Sequence, residues 1–286
     1  MSTSPRAHHA SLTEAAPRRH VSVMNLSQHT ALVTGASSGL GEAFARRLAA
    51  MGADIIITAR RKDRLETLAA DLRTHHGVQV TVLPLDLSAP GAARELHAQT
   101  EGAGRRVDVL INNAGFGVQD RFVDIPWEKT AEQLQLNVVA LTELTWLFAR
   151  DMKARGRGYI LNVSSIGAFL PSPFYATYSA GKAYVRDFTE AIAHELEGTG
   201  VQLTALCPGL TQTEFHQVAG HKLDAPVRAV MMSAEKCADI GLQGLFHGER
   251  TVIPGMSNKL PMFLLRFVPR RAMATIANLA AGKRGA

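Results

Sequence analysis

The chain has 286 residues, 46% hydrophobic and 20% charged, which is enough apolar length to bury a core without disulfide or metal staples. Its two cysteines, Cys207 and Cys237, lie far apart and outside any C-x-x-C pair, which argues against a disulfide scaffold and favours a reducing, cytoplasmic setting. Much of the net charge of +6 sits in the two ends, with no zinc-finger spacing or RNA-binding aromatic motif beside it, so no nucleic-acid partner is expected.

Residues 1–27 carry Arg6, Arg18 and Arg19 against Glu14 and read as a flexible extension. From there β-like apolar runs alternate with helical stretches. Residues 30–34 (TALVT) predict a strand and residues 43–51 a helix. Residues 54–59 (DIIITA) predict the second strand. Leu65, Leu68, Ala69 and Leu72 then recur at helical spacing over 64–72. Strands follow at 78–85 and 108–111. One long helical region spans 127–155 and breaks at Gly156 and Gly158. A strand at 159–163, a helix at 178–197 ending at Gly198, and a strand at 201–207 stopped by Pro208-Gly209 come next. A looser stretch runs to Ser233, followed by a helix at 234–245 and a short strand at 250–253. Strands separated by such helices imply right-handed crossovers and a parallel sheet. Their unbroken apolar character implies helices on both faces. The expectation is an α/β fold: a single doubly wound domain over 28–255 with about seven parallel strands.

Residues 256–286 predict an amphipathic, apolar helical tail. Leu260, Phe263, Leu264 and Phe267 fall at helical spacing beside Arg266, Arg270 and Arg271. Packing over the substrate cleft or on a partner subunit is one reading, and a peripheral membrane contact is the other. No run reaches the roughly 18 apolar residues of a transmembrane helix.

Between the first strand and first helix stands Gly35-Ala36-Ser37-Ser38-Gly39-Leu40-Gly41. Glycines there let the backbone approach a pyrophosphate, and the helix N-terminus behind them offers free N–H groups. The second strand ends in Arg60-Arg61-Lys62, with no acid to bind a free ribose 2′-hydroxyl. Arg60 is therefore the expected partner of a 2′-phosphate, with Arg61 stacking on adenine or adding charge. Lys62 reads as a solvated helix start. Further on, Tyr178 and Lys182 lie four apart, one turn along a helix face. A phenol is a poor base at neutral pH, and a neighbouring cation lowers its pKa.

These motifs, with others in order along 30–253, resemble the short-chain dehydrogenase/reductase family in its single-domain, Rossmann-type branch. The T-G-x-x-x-G-x-G pattern is met by Thr34, Gly35, Gly39 and Gly41. Asp86 and Leu87 match the adenine-contacting acid after the third strand. Asn112-Asn113-Ala114-Gly115 matches N-N-A-G. Asn137 matches the helix asparagine, and Ser165 the serine thirteen residues before Tyr178. Y-x-x-x-K is Tyr178 and Lys182, and P-G-x-x-x-T is Pro208, Gly209 and Thr213. Thr211 shares the nicotinamide contact with Thr213 or caps a turn. Val163 belongs to the strand before the serine.

The resemblance implies hydride transfer between a nicotinamide dinucleotide and a carbonyl or secondary alcohol. NADP(H) is the preferred cofactor through Arg60, with NAD(H) as the second candidate, and no metal is needed. Ser165 would polarise the carbonyl oxygen and Tyr178 would exchange its proton. Lys182 would depress the tyrosine pKa and bind the ribose, and Asn137 would hold a relay water. Residues 210–233, with Phe215, Val218, Val230, Met231 and Met232, would form the substrate loop, and Phe116 and Phe169 would line the cleft. Together these favour a partly apolar substrate. Ser164 points away from Ser165 on a strand, and Tyr175 is a packing or substrate residue. A homodimer or homotetramer is expected by analogy. The rival readings are a dinucleotide sensor without catalysis and a sugar epimerase or dehydratase. The intact Asn137, Ser165, Tyr178 and Lys182 set speaks against the former, and the glycine spacing against the latter.

Overall fold

Alternate residues of β1 (Thr30–Thr34) enter two different cores. Ala31 and Val33 pack in one apolar cluster and Leu32 in the other. β2 (Asp54–Ala59) does the same with Ile55 and Ile57 against Ile56. β4 (Val109–Asn112) follows with Val109 and Ile111 against Leu110. Both faces of each strand are thus dry, which accounts for the unbroken apolar runs. One face is covered by α1 (Gly39–Ala50), α2 (Lys62–His76) and α7 (Ala234–Phe246). The other is covered by α3 (Ala92–Gln99), α5 (Leu141–Arg155) and α6 (Ala176–Glu195).

The computed structural model describes residues 24–215 and 231–280. With β3 (Val80–Pro84), β5 (Gly158–Val163), β6 (Val201–Leu206) and β9 (Thr251–Val252), the main sheet has seven strands in the order β3-β2-β1-β4-β5-β6-β9. Every neighbouring pair is parallel, and Thr30–Thr34 of β1 lies in register with residues 54–58 of β2. Chain order reverses between β1 and β4. In open parallel sheets a crevice opens at such a reversal, beyond the carboxyl ends of the strands.

Four features depart from the expectations. Leu26, expected in the flexible extension, is fully buried in the first core, and its N–H donates to Met51 O at 2.8 Å. The remainder of that extension, residues 1–23, lies outside the described residues. The long helix over 127–155 is three pieces: α4 (Trp127–Leu134), a π-helical segment Gln135–Ala140, and α5. The looser stretch after Pro208 contains two two-residue strands, β7 (Thr211–Gln212) and β8 (Met232–Ser233), paired in parallel. Strands this short carry no periodicity to read. The first helix begins at Gly39, four residues early, because the glycine turn runs straight into it.

The C-terminal stretch forms α8 (Met256–Leu264), a 3-10 turn Leu265–Phe267 and α9 (Arg270–Ala280). Among the described residues no helix is long and apolar enough to cross a membrane.

Candidate active site

A cleft of about 760 Å³ opens over the reversal point. It is lined by Gly35, Ser37, Ser38, Gly39, Leu40, Arg60, Arg61, Asp86, Leu87, Asn113, Ala114, Gly115, Val163, Ser165, Tyr178, Lys182, Pro208, Gly209, Thr211 and Thr213. These are the expected site residues except Gly41 and Asn137, which stand behind the lining.

The glycine turn is held from below by Thr34 and Asn113. The Thr34 hydroxyl accepts the N–H groups of Asn113 and Ala114, both at 3.0 Å. The Asn113 side-chain amide donates to Thr34 O at 2.9 Å and Gly35 O at 3.3 Å. Gly35 has φ +67°, and a Cβ there would stand 2.9 Å from both Ala114 Cα and Asn113 Nδ2. A side chain would therefore collide with Asn113 and Ala114, and the positive φ also favours glycine. Asn113 thus shapes the turn through its side chain.

At the adenosine end the two arginines face different partners. Arg61 turns into the glycine loop, where its Nη2 donates to Ser38 Oγ at 2.7 Å and Ser37 Oγ at 3.1 Å. Its Nη1 donates to Glu214 Oε2 at 3.1 Å, and Arg64 Nη1 donates to Glu214 Oε1 at 2.6 Å. Arg60 faces the other way, 3.4 Å from Glu132 and 4.0 Å from Asp86. Arg61 rather than Arg60 is therefore the guanidinium beside the serine hydroxyls. The reason is its position as the N-cap of α2, beside Ser38, the N-cap of α1. Burial works to raise the Asp86 carboxyl, but hydrogen bonds from Ser88 and the charge of Arg60 hold it below its ordinary value. The two arginines and Asp86 give one rim of the cleft a mixed charge. Glu214 carries no sequence signal, for it belongs to an irregular turn after β7.

At the other end Tyr178 and Lys182 project from α6. The Ser165 hydroxyl hydrogen-bonds the Tyr178 side chain and accepts Gly167 N–H at 3.1 Å. Ser164 donates to Lys182 O at 2.6 Å and is buried, as the strand alternation requires. Lys182 Nζ donates to Val163 O at 2.8 Å and lies 5.7 Å from the Tyr178 ring centroid. Burial pushes the Tyr178 phenol up to about 12, with the Ser165 hydrogen bond pulling the other way. Burial also brings the Lys182 ammonium down to about 8. Desolvation is thus the largest influence on the phenol in this cleft.

Asn137 sits in the π-helical segment, nearly inaccessible. Its Oδ1 accepts Phe116 N–H at 3.1 Å and its Nδ2 donates to Phe116 O at 2.8 Å. Gln133 Nε2 donates to the same carbonyl at 3.1 Å. The amide therefore clamps the turn after β4. A Cβ on Gly115 would stand 2.9 Å from Asn137 Oδ1 and 3.6 Å from Lys182 Nζ, so Gly115 separates the two side chains.

An aromatic cluster covers the Tyr178 ring. Tyr175 meets it edge-on at 5.8 Å and Phe215 tilts against it at 5.5 Å. Phe116 lines the cleft, whereas Phe169 does not; Arg186 packs 4.6 Å over that ring instead. Val218 and Val230 lie outside the described residues, and Met231 and Met232 stay off the lining. Thr211 turns inward, with its hydroxyl donating to Gly209 O at 3.1 Å, which is the turn-capping alternative. Thr213 packs against Gly39. Among the described residues no three His, Cys, Asp or Glu side chains cluster to hold a metal. Both cysteines are free and buried.

The arrangement can cradle a pyrophosphate on the glycine turn and meet an anion at Arg61. At its far end it presents a phenol, a hydroxyl and an ammonium to one point. Comparison with known proteins agrees. The model of the short chain dehydrogenase family matches residues 29–224. A 7beta-hydroxysteroid dehydrogenase of Collinsella aerofaciens is 34% identical over 231 residues, 80% of this chain and 86% of that protein. A very-long-chain 3-oxoacyl-CoA reductase of Pyrenophora tritici-repentis is 31% identical over 252 residues, 86% of this chain and 74% of that protein. A solved short-chain dehydrogenase from Sphingobium yanoikuyae in complex with NADPH superposes with a TM-score of 0.77 at 32% identity, covering 90% of this chain and 97% of that one.

Proposed function

Since the chain belongs to the short-chain dehydrogenase/reductase family, whose members act on CH–OH or C=O groups, we propose that it is an NADP(H)-dependent reductase of a bulky, largely apolar ketone or dehydrogenase of the matching secondary alcohol. The observation that carries this reading is the meeting of Ser165, Tyr178 and Lys182 at one end of a cleft whose other end holds Arg61, Ser37 and Ser38.

The donor set fits a phosphorylated dinucleotide. The glycine turn and the N-terminus of α1 would take the pyrophosphate, and Arg61 with the two serine hydroxyls the 2′-phosphate. Asp86, Leu87 and Arg60 would flank the adenine. Ala114, Gly115, Val163, Pro208, Gly209, Thr211 and Thr213 would surround the nicotinamide half, where Lys182 reaches the ribose. NAD(H) is the weaker alternative. When bound, the nicotinamide supplies or accepts the hydride.

The remaining steps belong to the side chains. Ser165 donates to the carbonyl oxygen and stabilises the charge that develops there. Tyr178 delivers its proton to that oxygen. Its raised pKa keeps it protonated at neutral pH, the form that donates in reduction. Lys182, 5.7 Å from the Tyr178 ring centroid, would return the proton through intervening water or ribose hydroxyl, and its pKa near 8 suits that exchange. Asn137 acts as a positioning residue through Phe116. Phe116, Tyr175, Phe215 and Leu170 give the substrate end an apolar wall, consistent with the steroid and acyl relatives. Residues 28–255 form the catalytic unit in this reading, residues 256–286 an appended helical tail, and the enzyme works in a reducing cytoplasm as a homodimer or homotetramer.

Tyr178→Phe removes the proton and little else. Turnover with a ketone panel, followed at the NADPH absorbance band, should fall by about 10²- to 10⁴-fold while NADPH still binds. Retained turnover in that variant would overturn the assignment.

A further inference from the structure

The C-terminal helices present an outward apolar face. Met256, Leu260, Phe263, Leu264 and Phe267 recur at spacings of three and four, which places them on one side of α8 and its following turn. All five are exposed: Leu260 by 57%, Phe263 by 51% and Phe267 by 74%. Ile276 and Leu279 of α9 are exposed as well. Among the described residues none of the five lines the cleft. The opposite side of α8 does pack: Asn258 donates to Pro254 O at 2.8 Å and lies against Gly209.

The charge of the stretch that carries that face has one sign. Lys259, Arg266, Arg270 and Arg271 are exposed beside it, and no Asp or Glu occurs after Glu249. The Arg266 guanidinium lies 5.8 Å from the Phe263 ring centroid. A second copy docked by a two-fold axis would set these cations against their equivalents, with no carboxylate of the same stretch to pair them. An acidic partner without apolar surface would leave the rings wet. An anionic lipid surface satisfies both demands: acyl chains for the rings and phosphates for the guanidinium groups.

We propose that α8, the turn after it and α9 form a peripheral membrane-binding face for anionic lipid. Its position beside the cleft gives it a use. Ala277 and Asn278 of α9 line the cleft and Gly209 lies under Asn258, so the mouth opens next to the lipid-facing side chains. An apolar ketone dissolved in the bilayer would reach the site without crossing water. The lipid contact is independent of the cofactor assignment. Only the delivery of substrate rests on the proposed reading of the cleft as a ketone reductase.

Flotation of the full chain tests the proposal, with phosphatidylcholine vesicles containing phosphatidylglycerol and with phosphatidylcholine alone. The wild type should float with the anionic vesicles. Arg266→Gln, Arg270→Gln and Arg271→Gln together should lower that affinity on the order of a hundredfold. Leu260→Gln, Phe263→Gln and Phe267→Gln together should lower it at least about tenfold. NADPH titration of each variant reports whether it is folded, and should match the wild type. A wild type that stays at the bottom of the gradient overturns the proposal, as do variants that float equally well. So does a polar variant whose lipid-free mass halves while flotation persists, because the face would then join two copies.

Discussion

Glu214 is the anion held between Arg61 and Arg64, where the cofactor's 2′-phosphate is proposed to sit. Phosphate and carboxylate therefore compete for the same guanidinium groups. Glu214→Gln should tighten NADPH relative to NADH by about threefold or more, a small factor because these ion pairs are solvent-screened. Arg61→Ala should reverse the ratio, and Arg60→Ala should leave it nearly unchanged. Fluorescence titration of both dinucleotides checks all three, and equal effects of Arg60→Ala and Arg61→Ala would refute the assignment of roles. Lys182 offers a second test. Its pKa is depressed in the fold, so its contribution to stability is present above about 10.5 and lost as the pH falls through about 8. Lys182→Met removes that buried cation. Its melting temperature should rise relative to wild type below pH 8, and the gain should shrink as the pH approaches 10.5, while activity collapses. Tyr178 and Lys182 were legible because one helical turn joins them. Glu214 was not: it stands 150 residues from Arg64, and no local pattern relates them.

At the scale of elements, the glycine turn and the helix behind it follow from local chemistry, since few side chains fit there. The π-helical segment does not. Its single widened turn leaves the apolar periodicity of 127–155 nearly intact, yet it sets where the Asn137 amide meets the Phe116 backbone. The turn after β4 depends on this clamp, and Gly115 is the spacer that makes room for it. Gly115→Ala would push a methyl group to within 2.9 Å of Asn137 Oδ1. The expected cost is about 1–3 kcal/mol by denaturant titration, with kcat lowered at least about tenfold and NADPH affinity less affected. Unchanged stability and kcat would show that the clamp is dispensable. The C-terminal helices were legible as helices, but which way their apolar face turns depends on long-range packing.

On the scale of the whole molecule, alternation of strands and helices implied a doubly wound parallel sheet, and the right-handed crossover rule leaves few topologies. Strand neighbours remained open, because the order β3-β2-β1-β4-β5-β6-β9 is set by pairings far apart in the chain. That order brings the turns after β1, β4, β5 and β6 to one edge, where residues scattered from Gly35 to Thr213 meet. Three consecutive residues then tie the two ends of the cleft together: Thr213 rests on Gly39, Glu214 on Arg61 and Arg64, and Phe215 on Tyr178. A phosphate arriving at Arg61 must dislodge Glu214, and its neighbour Phe215 forms part of the wall the ketone would meet. The kinetic sequence should accordingly be compulsory, nucleotide in first and out last. In product-inhibition experiments only the two nucleotide forms should compete, and the alcohol should not compete with NADPH. A random pattern would mean that the three residues move separately.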